Sequence, residues 1–260
     1  VEEYTWKMVW NDEFDQDGLP DTKKWAYHEG DGCPHVCGWG NNELQYYKEG
    51  DKDNARVEDG NLIIEAHKVE GQKYKYSSAK LVTQGKQTWK YGKLEIRANL
   101  PTGRGTWPAI WMMPAGNRYG GWPRSGEIDI MEHVGYDPDT IIGTVHTEAF
   151  NHIKGTQVAK YTYLGDSETA FHTYSITWDE ESIKWFIDGN EYHSFENKHI
   201  TYEEWPFDKP FYLILNLAVG GNWGGEFGVD QSIWPQQMQV DYVRVYKMNQ
   251  LVNIALKNKE

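Results

Sequence analysis

Alternating or β-rich runs recur along the chain in "NLIIEAHKV", "YGKLEIRANL", "TIIGTVHTEAF", "TYSITWDEESIKWFIDGNEYHSF", "FYLILNLAV" and "MQVDYVRVYKM". Side chains two apart on a strand share a face, so this period predicts strands throughout, and no stretch carries a sustained helical period. Gly, Pro, Asn and Asp punctuate the runs, and Asp188-Gly189 between two of them predicts a β-hairpin. No Pro/Ser-rich linker divides the strands and no internal repeat is visible. One antiparallel β-sandwich over 1–248 is therefore expected, with 249–260 as a C-terminal tail that loses the pattern.

One strand breaks its own pattern. "SGEIDIMEHVG" carries Glu127, Asp129 and Glu132 where a buried strand is expected. Glu127 and Asp129 share a face opposite Ile128 and Ile130, but Glu132 has the wrong parity. A β-bulge at Ile130-Met131 would restore it, and bulges of this kind re-aim side chains beside active sites. With one residue absorbed, the two Glu Cα atoms stand roughly 13 Å apart at about 3.3 Å per step. Side chains leaning together bring the carboxyl groups to roughly 5–6 Å, the separation of a retaining glycosidase pair.

A bland alternative is that the acids form the solvated side of an edge strand, or a calcium site. Neighbouring runs weigh against it. "KLEIRANL" places Glu95 and Arg97 on one face, and "TVHTE" places Thr144, His146 and Glu148 on one face. Trp107 and Trp111 have equal parity, and Trp122 lies just upstream of the acids. Any one of these Trp residues is more often core than platform, and a lone His146 is more often structural. Together with the acids they describe an acidic groove lined by aromatics.

Composition sharpens the choice of ligand. Aromatics make up 15% of the 260 residues, with 13 Trp and 17 Tyr, and such faces suit stacking on sugar rings or bases. The formal charge of −13 repels phosphate backbones and anionic membranes, which leaves a neutral ligand and excludes nucleic acid. No run of 18 apolar residues spans a membrane and no basic-then-apolar start reads as a signal peptide, so a soluble mature form is expected. Cys33 and Cys37 in "GDGCPHVCGWG" suggest either a small disulfide ring or a metal half-site with His28 or His35. We favour the disulfide, and with it an exported protein.

"WPRSGEIDIMEHVG" resembles the catalytic signature of glycoside hydrolase family 16, in particular its bacterial laminarinase type of endo-β-1,3-glucanase. "WNDEFD", "GWGNNELQYY", "YGKLEIRANLPTGRGTWPAIWMMP", "FYLILNLAVGGNWGG" and "MQVDYVRVY" extend the resemblance over nearly the whole chain. It implies an all-β jelly-roll sandwich of two curved antiparallel sheets with a concave substrate cleft. It also implies Glu127 as nucleophile, Glu132 as general acid/base and Asp129 as the residue that separates their protonation states. Trp107, Trp111 and Trp122 become sugar platforms, and Trp223 helps line the cleft. Asn41 or Asn42, Arg97 and His146 become contacts to sugar hydroxyls. No catalytic cofactor is implied, but a structural calcium on Glu13, Gly60 and Asp241 is.

The expected protein is then a secreted, cell-surface or periplasmic monomer that cleaves β-1,3-glucan internally and acts on mixed-linkage glucan as well. Two alternatives stand beside it. One is a non-catalytic β-glucan-binding module of the same fold, which the paired glutamates argue against. The other is a family relative acting on a different neutral polysaccharide.

Overall fold

A computed structural model gives the architecture and describes residues 4–250. Seventeen strands are present among them: β1 (Tyr4–Asp12), β2 (Ala26–Tyr27), β3 (Gln45–Tyr47), β4 (Ala55–Glu58), β5 (Asn61–Lys68), β6 (Tyr76–Ser78), β7 (Lys80–Val82), β8 (Gly92–Asn99), β9 (Thr106–Pro114), β10 (Glu127–Glu132), β11 (Thr140–His146), β12 (Val158–Tyr163), β13 (His172–Trp178), β14 (Ser182–Ile187), β15 (Asn190–Glu196), β16 (Phe211–Val219) and β17 (Gln236–Gln250). The helical content of the described residues is one 3₁₀ turn, Cys37–Gly40.

Two sheets stack into a jelly-roll sandwich. Ten strands form one, along β15-β14-β13-β8-β17-β5-β6-β3, with β1 added to β17 and β4 to β5. Seven form the other, in the order β12-β11-β10-β9-β16-β7-β2, and its face away from the core carries the cleft. Pairing is antiparallel except between β3 and β6. Alternation sends Leu94, Ile96, Tyr174, Ile176 and Trp185 inward from the larger sheet against Ile110, Met112, Ile128, Leu213 and Leu215 of the smaller one. The predicted hairpin joins β14 to β15, with Asp188 at φ 49 and Gly189 at φ 79, both in the left-handed region that such a two-residue turn requires.

β17 extends further than the pattern suggests. Asn249 and Gln250 pair with Thr5 and Tyr4, so the strand continues two residues into the expected tail. The remainder of that tail, 251–260, lies outside the described residues.

Candidate active site

The bulge is where the parity argument puts it. Against β9, Asp129 pairs with Trp111 and Met131 with Ile110, so Ile130 is the extra residue. Ile130 and Met131 both turn into the core, and Glu132 returns to the face of Glu127 and Asp129. At the bulge, Trp185 of the opposite sheet donates its indole N–H to the backbone carbonyl of Asp129 at 2.8 Å. Ahead of the acids, Gly126 sits at φ +90, where a Cβ would come within 2.9 Å of Pro206 and Phe207. Only glycine lets the chain enter the strand there.

Cross-strand register builds the cleft floor rung by rung. Lys80, Asn216, Ala109, Glu132, Ile142 and Tyr161 form one rung across six strands. Trp111, Asp129, Thr144 and Ala159 form the next, and Glu127 stands opposite His146. A cavity of about 280 Å³ runs from Glu127 and Glu132 past His146, Trp107 and Trp223 to Tyr161. A smaller one, about 80 Å³, continues the other way over Lys80, Trp111 and Asn216.

The three acids occupy different electrostatic positions. Burial raises Asp129's carboxyl well above the usual range, and the charges of Glu127 and Glu132 push the same way. Both effects favour the protonated form of Asp129, which shares a hydrogen bond with Glu127. Burial, then the charge of Glu127, pushes Glu132 up to about 8, against a 3.2 Å hydrogen bond donated by the Trp107 indole. The Trp122 indole donates to Glu127 at 2.5 Å. His146 is pushed down by burial and is neutral near pH 7, 3.4 Å from Asp129. Glu127, Asp129 and His146 offer ligand atoms within 4.8 Å of one another, close enough for a cation to bridge; the proton on Asp129 relieves the same repulsion. Two carboxyl groups on one face, one holding a proton and the other supplied with donors, can divide acid and nucleophile work.

The other expected residues divide. Asn41 lines the cleft and donates to Glu43 at 3.2 Å. Asn42 instead reaches Asn222 at 2.7 Å, tying its loop to the one that carries Trp223. Trp223 packs edge-on to Trp107. Trp111 donates to Asn216 at 2.7 Å and lies beneath the Lys80 ammonium. The tryptophans thus anchor polar groups with their ring edges as well as offering faces.

Arg97 is not in the cleft. It stands on β8, in the ten-stranded sheet, on the face away from the core, where it pairs with Asp241 at 2.7 Å and lies over Phe171. The alternation that gave it a polar face is real, but that face belongs to the other sheet. Register brings Glu13, Gly60 and Asp241 toward one corner of that sheet, through the pairs Asp12–Val243 and Val240–Leu62. Both carboxylates are already taken: Arg244 holds Glu13 by two hydrogen bonds, 2.8 and 2.9 Å, and Arg97 holds Asp241. As arranged, this donor set does not fit a calcium ion.

Cys33 and Cys37 are disulfide-bonded, which removes the metal half-site, and His28 bonds Gln84 at 2.6 Å. The ring leads into the 3₁₀ turn that presents Trp39, whose face lies 4.2 Å from Lys80 Nζ. Burial pushes Lys80 down to about 8, with Glu43 and Glu127 pulling the other way.

Lys80, Trp39, Glu43, Asn216, His152 and Tyr161 line the cleft without having been singled out in the sequence. Asn216 left a readable signal as the one polar residue in the apolar run "FYLILNLAV". Lys80 left another, as the one charged residue in the run "YSSAKLVT".

Residues 42–244 match the family described as glycosyl hydrolases family 16. The chain is 53% identical to a beta-glucanase of Rhodothermus marinus, over 93% of this chain and 85% of that protein. It is 41% identical to glucan endo-1,3-beta-glucosidase A1 of Niallia circulans, over 92% of this chain but only 38% of that longer protein. The solved laminarinase of Rhodothermus marinus superposes with a TM-score of 0.91 at 52% identity, covering 95% of this chain and 99% of that one.

Proposed function

The chain belongs to glycosyl hydrolase family 16, and from that membership we propose an endo-β-1,3-glucanase that acts with retention and accepts mixed-linkage β-1,3/1,4-glucan as a poorer substrate. The observation that carries this is the bulged strand, which aligns Glu127 and Glu132 on one face and gives them different surroundings.

In this reading Glu127 attacks the anomeric carbon while Glu132 protonates the departing glycosidic oxygen. Trp122 and Asp129 both supply donors to Glu127, so its charge is stabilised without a cation. Glu132, deprotonated by the first step, then takes a proton from water as that water attacks the glycosyl-enzyme. Cavities extend from the acids in both directions, toward Tyr161 and toward Lys80, so in this reading a chain binds internally and medium-length oligosaccharides precede glucose. Asn41, Trp107, Trp111, Trp122, His146 and Trp223 are the proposed sugar contacts from the sequence, joined by Lys80, Glu43 and Asn216.

Hydrolysis of this kind needs no catalytic cofactor. A structural calcium would have to take Glu13 from Arg244 and Asp241 from Arg97, and a melting temperature raised by calcium and lowered by chelator is the result that would support it. Export of the protein is proposed on the disulfide, and a monomer on the absence of any need for a second copy in the site.

Digestion of purified laminarin, mixed-linkage glucan, cellulose and carrageenan tests the reading, with proton NMR of the first product. Laminarin is expected to be cleaved best, with a β-anomer released first. An initial α-anomer, or faster attack on the sulfated galactan, would overturn it.

A further inference from the structure

Tyr161 is 59% exposed, on β12 at the edge of the cleft sheet, yet it lines the same cavity as Glu127 and Glu132. It ends the rung that runs through Glu132 and Ile142, two strands from the acid, or about 10 Å at roughly 4.8 Å per strand. Gln157, Ala159 and Tyr161 share a face by parity, and all three line that cavity. Gln157 Oε1 is buried there without a hydrogen-bond partner, an acceptor that costs free energy unless a donor arrives.

We infer that Tyr161 and Gln157 form an outlying subsite for one hexopyranose unit of the bound chain, on the β12 side of the acids and opposite Lys80. This rests on the glycanase reading above. The phenol ring offers a face for stacking, and Gln157 Oε1 accepts from a sugar hydroxyl. An aromatic face beside a buried acceptor recognises a neutral polyhydroxylated ring, and the charge of −13 disfavours a sulfated one. The same strand supplies a control. Tyr163 lies on the same face and is 77% exposed, but it is outside the cavity.

The test measures kcat and KM on laminari-oligosaccharides of increasing length, and on laminarin, for the wild type, Tyr161→Ala, Tyr161→Phe and Tyr163→Ala. For Tyr161→Ala, KM should rise roughly 5- to 150-fold on chains long enough to reach β12, by analogy with bases stacked on aromatics. The shortest cleaved oligomer should be unaffected. Tyr161→Phe should stay near wild type, since the stacking face is kept, and Tyr163→Ala should match wild type. Gln157→Ala should give a smaller loss with the same length dependence. Equal kinetics of Tyr161→Ala and wild type at every length, or an equal defect in Tyr163→Ala, would overturn the subsite. Were the wild type inert on these chains, the substrate reading would fall instead. The same length series in whichever polysaccharide it does cleave would then decide the subsite.

Discussion

Trp185 reaches across the core from β14 to donate its indole N–H to the backbone carbonyl of Asp129, 2.8 Å away, at the one point where the cleft strand leaves its ladder. A bulge disrupts the ladder locally, and a buried carbonyl that loses a hydrogen bond costs about 1–3 kcal/mol. The bond therefore stabilises the kink that aligns Glu127 with Glu132.

Trp185→Phe should lower the melting temperature and also lower kcat with little change in KM. Trp178→Phe is the matched control, because Trp178 also gives a buried indole bond, to the Phe207 carbonyl at 3.0 Å, away from the bulge. Similar losses of stability with a kcat defect only in Trp185→Phe would establish positioning. Equal kcat in the two variants would reduce Trp185 to a core residue.

Much of this site was legible because strand parity is strict. A period of two assigns Glu127, Asp129 and Ile128 to faces without ambiguity, and the misplaced parity of Glu132 identified the bulge. Parity does not say which sheet a strand joins. β8 and β9 are consecutive in sequence but lie in different sheets, so Arg97 carried the right pattern on the wrong sheet. Nor does parity orient a side chain's donor, which is why Trp107 and Trp122 were legible as aromatic neighbours of the acids but not as partners of Glu132 and Glu127.

Trp122 separates face from edge. Trp122→Phe keeps a ring but removes the N–H given to Glu127, and a hydrogen bond to a charged group is worth about 1.5–3 kcal/mol. We expect kcat to fall roughly 10- to 150-fold with KM little changed. Trp122→Ala should raise KM as well. Unchanged kcat in the Phe variant would leave Trp122 as a platform alone.

Glu132 must hold its proton to act as the acid, and burial with the neighbouring Glu127 charge places its loss at about pH 8. The rate should therefore decline above about pH 8. Lys80 loses its charge in the same window, so Lys80→Gln is the control: the alkaline limb should persist in it. The same shift sets a stability sign. The folded value lies above the ordinary 4.5, so the folded state binds the proton more tightly. That stability is complete below about pH 4.5 and is lost as pH rises through about 8. Glu132→Gln mimics the protonated form and should melt higher than wild type at pH 8–9, by several degrees on the order of 1 kcal/mol or more, with little difference at pH 4. A variant that melts equally with wild type at both pH values would contradict the buried-acid assignment.

The disulfide should govern binding rather than chemistry. Cys33 and Cys37 close the ring that leads into Trp39, and Trp39 with Trp111 encloses the Lys80 ammonium at 4.2 and 5.0 Å. Neither cysteine lines the cavities that hold Glu127 and Glu132, so opening the ring releases Trp39 while leaving the bulge and both carboxyl groups in place. A cation over an aromatic face is worth about 0.5–2 kcal/mol, which corresponds to roughly a 2- to 30-fold change in affinity. Cys33→Ser/Cys37→Ser, or wild type under reductant, should therefore raise KM within that range at nearly constant kcat, with the anomeric outcome retained. Lys80→Met removes the same contact from the other side, so it should change KM less in the double serine variant than it does in wild type. A fall in kcat on reduction would instead tie the ring to the reacting carboxyl groups, and full additivity would mean that Trp39 and Lys80 act on the sugar separately.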